Sequence, residues 1–245
     1  AIVYGEPDGN GHPNVGAVLA DWDEDNPGIE QLCSGTLIDE DVFLTAAHCT
    51  AFLESLGIPN NQIWVSFDQD VDPVTSKTKL IRGTWVTNPA YNQKQDDSGD
   101  LAVIRLSKEM RLSPGRLPKL GLFDQMKASG QLSGQKFTAV GYGVQAPETG
   151  GGPPVFPYDG ARWRSVSSFQ SLQDAWLTLS QNDKTSDGGT CFGDSGGPNF
   201  LGAGKTETNI IASVTVTGDA MCVATNKTYR LDTAKAQNFI RPFLD

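Results

Sequence analysis

Histidine is nearly missing: the 245 residues hold two, His12 and His48. Any chemistry that needs an imidazole must use one of them. Positive charge is also short, with 19 Lys and Arg against 29 Asp and Glu, a formal net charge of −10. That balance argues against nucleic acid as a partner, because phosphate binding needs a basic footprint. No apolar run approaches the roughly 18 residues that cross a bilayer, so no membrane partner is expected. Cysteine is limited to four residues with no CxxC pair, which speaks against a zinc site built from closely spaced ligands. No internal repeat is visible. At 38% hydrophobic and 20% charged residues, the chain is too apolar to be disordered and long enough to bury a core in one large or two small domains.

The cysteines fall into two local groups, Cys33 with Cys49 and Cys191 with Cys222. Two disulfides closing short loops, each worth about 3 kcal/mol in chain-entropy terms, suit this usage better than four buried thiols in a reducing compartment. They point to an oxidising, extracellular setting. The chain opens on Ala1-Ile2-Val3-Tyr4-Gly5 with no signal peptide, and is expected to be a mature form.

Glycine and proline punctuate the whole length, with 27 and 14 residues. Between them lie short segments rich in β-branched and aromatic residues at 62–67, 80–86, 101–106, 136–141 and 209–216. Each reads as a strand bounded by turn residues, and many such strands without regular helices between them point to an all-β sandwich or barrel. Two helical patches stand out. One spans Ala46 to Leu56. The other, Thr233 to Leu244, places Ala236, Phe239, Ile240 and Phe243 on one side and Gln237, Asn238 and Arg241 on another. Asp232 or Thr233 is its expected cap, and Pro242 limits its last turn. The polar stretch 107–133 is the expected connection between two strand-rich halves. The stretch 145–160 has too many breakers for regular structure and is expected to be an exposed loop.

Cys191-Phe-Gly-Asp-Ser-Gly-Gly-Pro198 is the most informative segment. Gly193, Gly196 and Gly197 let the backbone turn sharply around Ser195 and aim amides at one spot, which suits a nucleophile beside an oxyanion site. The competing reading is a glycine-rich turn with an ordinary surface serine. The same residues match the G-x-S-x-G elbow of α/β-hydrolases, whose triad runs serine, acid, histidine. Both histidines precede Ser195 here, so that order fails. A subtilisin-like order, with Asp39 or Asp41 before His48, would need an α/β pattern that the chain does not supply. What remains is histidine, aspartate, serine. His48 lies in Leu44-Thr-Ala-Ala-His-Cys49, where small residues allow close packing. His12, in a turn-rich polar segment, fits an ordinary satisfied histidine. Asp100 leads an apolar strand, where a buried carboxylate needs a partner. Asp96 and Asp97 lie in a polar loop and are expected to face water.

At these segments the chain resembles the trypsin/chymotrypsin-like serine proteases. The matching pieces are Cys33-Ser-Gly-Thr-Leu-Ile38, Leu44-Thr-Ala-Ala-His-Cys49, Asp100-Leu-Ala-Val-Ile-Arg-Leu106, Gly193-Asp-Ser-Gly-Gly-Pro198 and Tyr229-Arg-Leu before a terminal helix. The resemblance implies two six-stranded antiparallel β-barrels with a C-terminal helix, here residues 1–114 carrying His48 and Asp100 and residues 115–245 carrying Ser195. It implies a secreted serine endopeptidase acting as a monomer on protein or peptide substrates. His48 is then the general base, Asp100 its orienter and Ser195 the nucleophile, with the amides of Gly193 and Ser195 as the oxyanion hole. Asp194 is the implied partner of the N-terminal amine, although Ala1 precedes the usual β-branched start. A non-catalytic binding protein or a precursor-like form on the same fold is the alternative. Gly189, six residues before the serine, offers no charge to a Lys or Arg side chain. Together with Thr190, Ser213, Val214 and Thr215 it is the expected substrate pocket, narrowed by β-branched side chains towards small or medium apolar residues. Asp219 entering that pocket would restore a preference for cations. No cofactor is expected, but the alternating carboxylates of Asp68–Asp72 and Asp21–Asp25 raise calcium as a candidate against ordinary solvated turns. Asn226-Lys-Thr228 matches a glycosylation sequon, meaningful only on a eukaryotic secretory route.

Overall fold

The computed structural model describes residues 2–145, 147–148 and 150–245. After a short first strand, β1 (Glu6–Pro7), the chain builds one barrel from β2 (Val15–Ala20), β3 (Glu30–Leu37), β4 (Val42–Thr45), β5 (Ile63–Ser66), β6 (Ile81–Thr87) and β7 (Ala102–Leu106), with helix α1 (Ala47–Ser55) between β4 and β5. The barrel closes in the order β2-β3-β4-β7-β6-β5. Strand β6 shows why: Ile81, Gly83 and Trp85 are buried while Arg82, Thr84 and Val86 are exposed, the period-two pattern of a strand with one wet face. Strand β2 is buried at every residue. Its inner face fills the barrel, and the strand also lies against β8 (Lys136–Gly141) of the other half.

The second half contains α2 (Leu122–Ala128), β8, β9 (Trp163–Leu172), β10 (Trp176–Ser180), β11 (Pro198–Leu201), β12 (Ile211–Gly218), β13 (Thr225–Arg230) and α3 (Ala234–Ile240). Its six barrel strands run β9-β10-β13-β12-β11-β8, and pairing of β8 with β9 closes the ring. The molecule is thus two closed six-stranded antiparallel barrels with few helices. Helix α2 lies inside the stretch read as a plain connection, because Phe123 is buried with Leu132, Phe137, Leu177, Leu179 and Ala212 in an apolar cluster of this barrel.

Both chain ends cross to the opposite half. Strand β1 pairs outside β9 through Glu6–Arg164 and Pro7–Trp163. At the other end, Arg105 of β7 lies 5.8 Å from the ring centroid of Phe243, and the Asp245 amide donates to Asp39 at 3.0 Å. Thr233 caps α3 by accepting from the Ala236 amide, worth about 1 kcal/mol. Asp232, the other expected cap, instead accepts from the Phe123 amide of α2 and is paired with Arg230. Gln237, read as part of the polar face, is buried and donates to the carbonyls of Pro118 and Leu231.

Between β1 and β2 the chain is pinned by charge. His12 is buried, with one ring nitrogen on Asp8 and the other on Glu207. Asp8 also accepts from Arg162, whose guanidinium reaches the carbonyls of Gly9, Val15 and Phe67. Burial alone would depress the His12 pKa, but its two carboxylate partners outweigh burial and raise the value to about 9.

Candidate active site

His48 sits in the first turn of α1, directly after β4. Asp100, 2% exposed, lies two residues before β7, which pairs with β4. The pairing brings the two residues together although 52 positions separate them. One carboxylate oxygen of Asp100 accepts from the His48 backbone amide at 2.9 Å, and the other meets Nδ1 at 2.9 Å. The same aspartate therefore satisfies an otherwise orphan amide of the helix start and orients the ring. Asp97 is engaged elsewhere, by the Tyr229 hydroxyl, the Gly99 amide and Lys235.

Ser195 arrives from the other barrel on a turn fixed by backbone contacts. Its carbonyl accepts from the Ser34 amide at 2.9 Å, and the following Gly196 amide donates to Thr215 at 2.8 Å. Gly196 has φ +84°, and a Cβ there would overlap Thr45 Oγ1 and the Ser34 carbonyl. This position needs glycine both for its left-handed backbone and for space. The Phe192 carbonyl accepts from Val144 at 2.7 Å. Since a trans peptide points its N–H away from its carbonyl, this bond directs the Gly193 amide to the other side. Among the described residues, neither the Gly193 nor the Ser195 amide donates to a protein acceptor. The Gly193 carbonyl is held by Gln31 and Ser34, each at 2.9 Å, a support from the first barrel that carries no sequence signal.

Ser195 and His48 line one cleft of about 670 Å³ with Leu32, Cys49, Phe52 and Tyr91. Ser195 Oγ makes no hydrogen bond to the imidazole among the described residues, a looseness that substrate often removes. The disulfides Cys33–Cys49 and Cys191–Cys222 lie close in sequence to His48 and Ser195. Asp194 is fully buried and accepts from the Cys191 amide at 2.9 Å and the Gly143 amide at 2.8 Å. Burial pushes its carboxyl above the usual range against those bonds. The Ala1 amine, implied as its partner, lies outside the described residues.

The substrate strand needs a correction. Ser213, Val214 and Thr215 are paired within the barrel: Val214 faces Pro198, Ser213 faces Asn199, and Thr215 exchanges bonds with Gly196 and Gly197. All three are buried, so their backbones are not open to a substrate and Val214 does not narrow a pocket. Past Thr215, no strand among the described residues continues that edge of β12, and Val216, Thr217 and Gly218 become accessible. The sequence register was two residues early because Gly196 and Gly197, not the strand proper, mark where pairing stops. Gly189 is buried beside Gln181 and bridges Val3 through two backbone bonds. Thr190 donates its amide to Gln181 Oε1 at 2.9 Å. Asp219 turns away to accept from the amides of Val223, Ala224 and Thr225. These three bonds outweigh its burial and hold its pKa down, so it adds no free acceptor to the pocket.

The acidic stretches do not converge. Among the described residues no group of three or more His, Cys, Asp or Glu is placed to hold a metal ion. Asp68 accepts from Lys79, Asp70 from Asp72, Asp21 from Gly28 and Asp23 from Asp25, each through a backbone amide. These carboxylates close turns in their own segments. Asn226 of the sequon is completely buried, so a glycan there is incompatible with this fold.

Two barrels meeting at a histidine–aspartate pair on one side and a glycine-framed serine on the other define the chymotrypsin type of serine protease architecture. A family model described as Trypsin matches residues 16–237, and the chain belongs to that family. It is 27% identical over 180 residues to a snake venom serine protease of Crotalus durissus durissus, covering 68% of this chain and 62% of that protein. It is 25% identical over 189 residues to kallikrein 1-related peptidase b3 of Mus musculus, covering 69% and 65%. The matches thus span less than two thirds of either relative. A solved structure titled HL collagenase superposes with a TM-score of 0.70 at 16% identity, covering 98% of this chain and 97% of that one, a likeness of fold.

Proposed function

We propose that the chain is a secreted serine endopeptidase in which Ser195 attacks peptide carbonyls. The observation that carries this reading is the buried Asp100, which holds both the amide and Nδ1 of His48 in the cleft that Ser195 lines. With its Nδ1 proton on Asp100, His48 keeps Nε2 free as a base. Ser195 Oγ gives its proton to Nε2 as it bonds to the carbonyl carbon. The unspent amides of Gly193 and Ser195 receive the negative charge on oxygen. Nε2 then hands the proton to the leaving amine, and an acyl-enzyme on Ser195 remains for water to hydrolyse by the same path.

The substrate is an extended peptide that adds to the open edge of β12 at Val216–Gly218, gaining main-chain bonds as a further strand. Gly189 supplies no carboxylate and Asp219 is engaged by its own loop, so the residue before the cleaved bond is uncharged and small to medium in size rather than Lys or Arg. Two disulfides and the venom origin of one relative support secretion. Ser195→Ala is expected to abolish both peptide hydrolysis and labelling by a fluorophosphonate while leaving the circular dichroism spectrum intact. Retention of either by the variant refutes the assignment.

A further inference from the structure

The wall opposite the open edge of β12 is the segment Gly189–Cys191, and the Cys191–Cys222 disulfide ties it to the hairpin that joins β12 to β13. A side chain carried past Ser195 by a peptide on β12 enters between these walls. Between them stands Gln181, which follows β10 and is completely buried. Its Oε1 accepts from the Thr190 amide at 2.9 Å, and a Cβ at Gly189 would overlap its amide. On the far side, a Cβ at Gly218 would stand 3.8 Å from Gln181 Nε2. The one carboxamide therefore reaches from wall to wall. Gly218 is also paired across the ladder with Asn226, which is completely buried and donates its own amide to Asn199 at 3.2 Å. Among the described residues, Gln181 Nε2, a donor, and Asn226 Oδ1, an acceptor, are both buried without a protein partner.

We infer that Gln181 and Asn226 are the specificity-determining residues of this site, making it a shallow pocket with a polar floor that selects a short hydroxylated side chain, serine or threonine, before the cleaved bond. This rests on the serine-endopeptidase reading above. The depth follows from Gln181, whose amide occupies the space a Leu, Phe, Lys or Arg side chain would need. The polarity follows from the unpartnered pair. A buried donor and a buried acceptor are each costly to leave unmade, and a hydroxyl is the smallest group that both donates and accepts. An alanine satisfies neither. The energetic logic is asymmetric: a single methylene in a pocket discriminates by about 10–200-fold, whereas a site built around polar partners rejects an analogue without them more strongly.

The test is a peptide library varied only at the residue before the cleaved bond, read as kcat/KM. Fluorophosphonate labelling of Ser195 in the same preparation scores the proteolytic reading separately. The wild-type enzyme is expected to favour Ser and Thr over Ala by about tenfold and over Leu, Phe, Lys and Arg by about 100-fold or more. Gln181→Ala, which deepens the pocket, should raise kcat/KM for Leu or Phe at least tenfold while labelling persists. Gln181→Glu, which keeps an acceptor for Thr190 and removes the donor, should erase the preference for Ser over Ala while Phe stays excluded. A labelled wild-type enzyme that favours Phe, Leu, Lys or Arg overturns the inference, whatever the variants do. So does a folded, labelled Gln181→Ala with the wild-type profile. Failure of the wild-type enzyme to label overturns the endopeptidase reading and this inference with it.

Discussion

His12 offers a quantitative test of how the N-terminal segment is held. The imidazole lies between Asp8 and Glu207, with Arg162 on the far oxygen of Asp8. Arg164 adds positive potential at Glu207. Folding raises the His12 pKa from 6.5 to about 9, and at about 1.4 kcal/mol per pH unit the protonated form adds about 3 kcal/mol to stability. Because the folded value is the higher one, this contribution is complete below about pH 6.5 and disappears as pH rises through about 9. The assay is guanidinium unfolding of the Ser195→Ala protein, chosen to prevent self-digestion, at about pH 6 and about pH 9.5 with and without His12→Asn. The parent protein should lose about 3 kcal/mol across that interval, and the His12→Asn variant should lack this loss. Glu207→Gln should shrink it, since one of the two carboxylates that raise the pKa is gone. Tyrosines whose pKa burial raises, such as Tyr142, begin to destabilise the fold as pH nears their unfolded value of about 10, and they do so equally in the parent protein and the His12→Asn variant. Parallel pH slopes for the parent protein and its His12→Asn variant refute the charge clamp.

Asp100→Asn should keep the fold but lower kcat by about 10⁴, because the amide disturbs the tautomer that frees Nε2; a loss below tenfold in a pH-rate profile contradicts its orienting role. Replacing Cys33 and Cys49 together by serine should cost about 3 kcal/mol, as expected for a loop of 16 residues, read as a lowered midpoint in denaturant. Millimolar calcium or EDTA should leave Tm unchanged, since the acidic side chains are spent on turns, and a rise with calcium would reveal a site.

Much of the site proposed as catalytic was legible because its parts are local. Leu44–Cys49 and Gly193–Pro198 need small residues and glycine within a few positions, and such needs appear directly in the chain. Asp100 could be chosen over Asp97 because an aspartate leading an apolar strand goes inward. The pocket was less legible. Which residue of 211–218 ends the ladder depends on Gly196 and Gly197 reaching across to Thr215, a contact between distant segments that no periodicity encodes. Gln181 carried no signal either, being a polar residue at the end of an ordinary strand. Burial of Gln237 and His12 likewise depends on what other elements bring to them, not on their own neighbours in sequence.

The exchange of chain ends has a mechanical meaning. Strand β1 precedes the first barrel in sequence but is seated on β9, and Phe243, after α3, rests beside Arg105 of the first barrel. A cut near residue 115 would therefore leave each fragment holding a piece that belongs on the other. Separately produced fragments should mate, as two halves of a buckle do, each closing over the other with the cleft at their seam. The opening between His48 and Ser195 is then a clasped joint, held by β1 on one side and by the segment after α3 on the other, rather than a hinge free to gape.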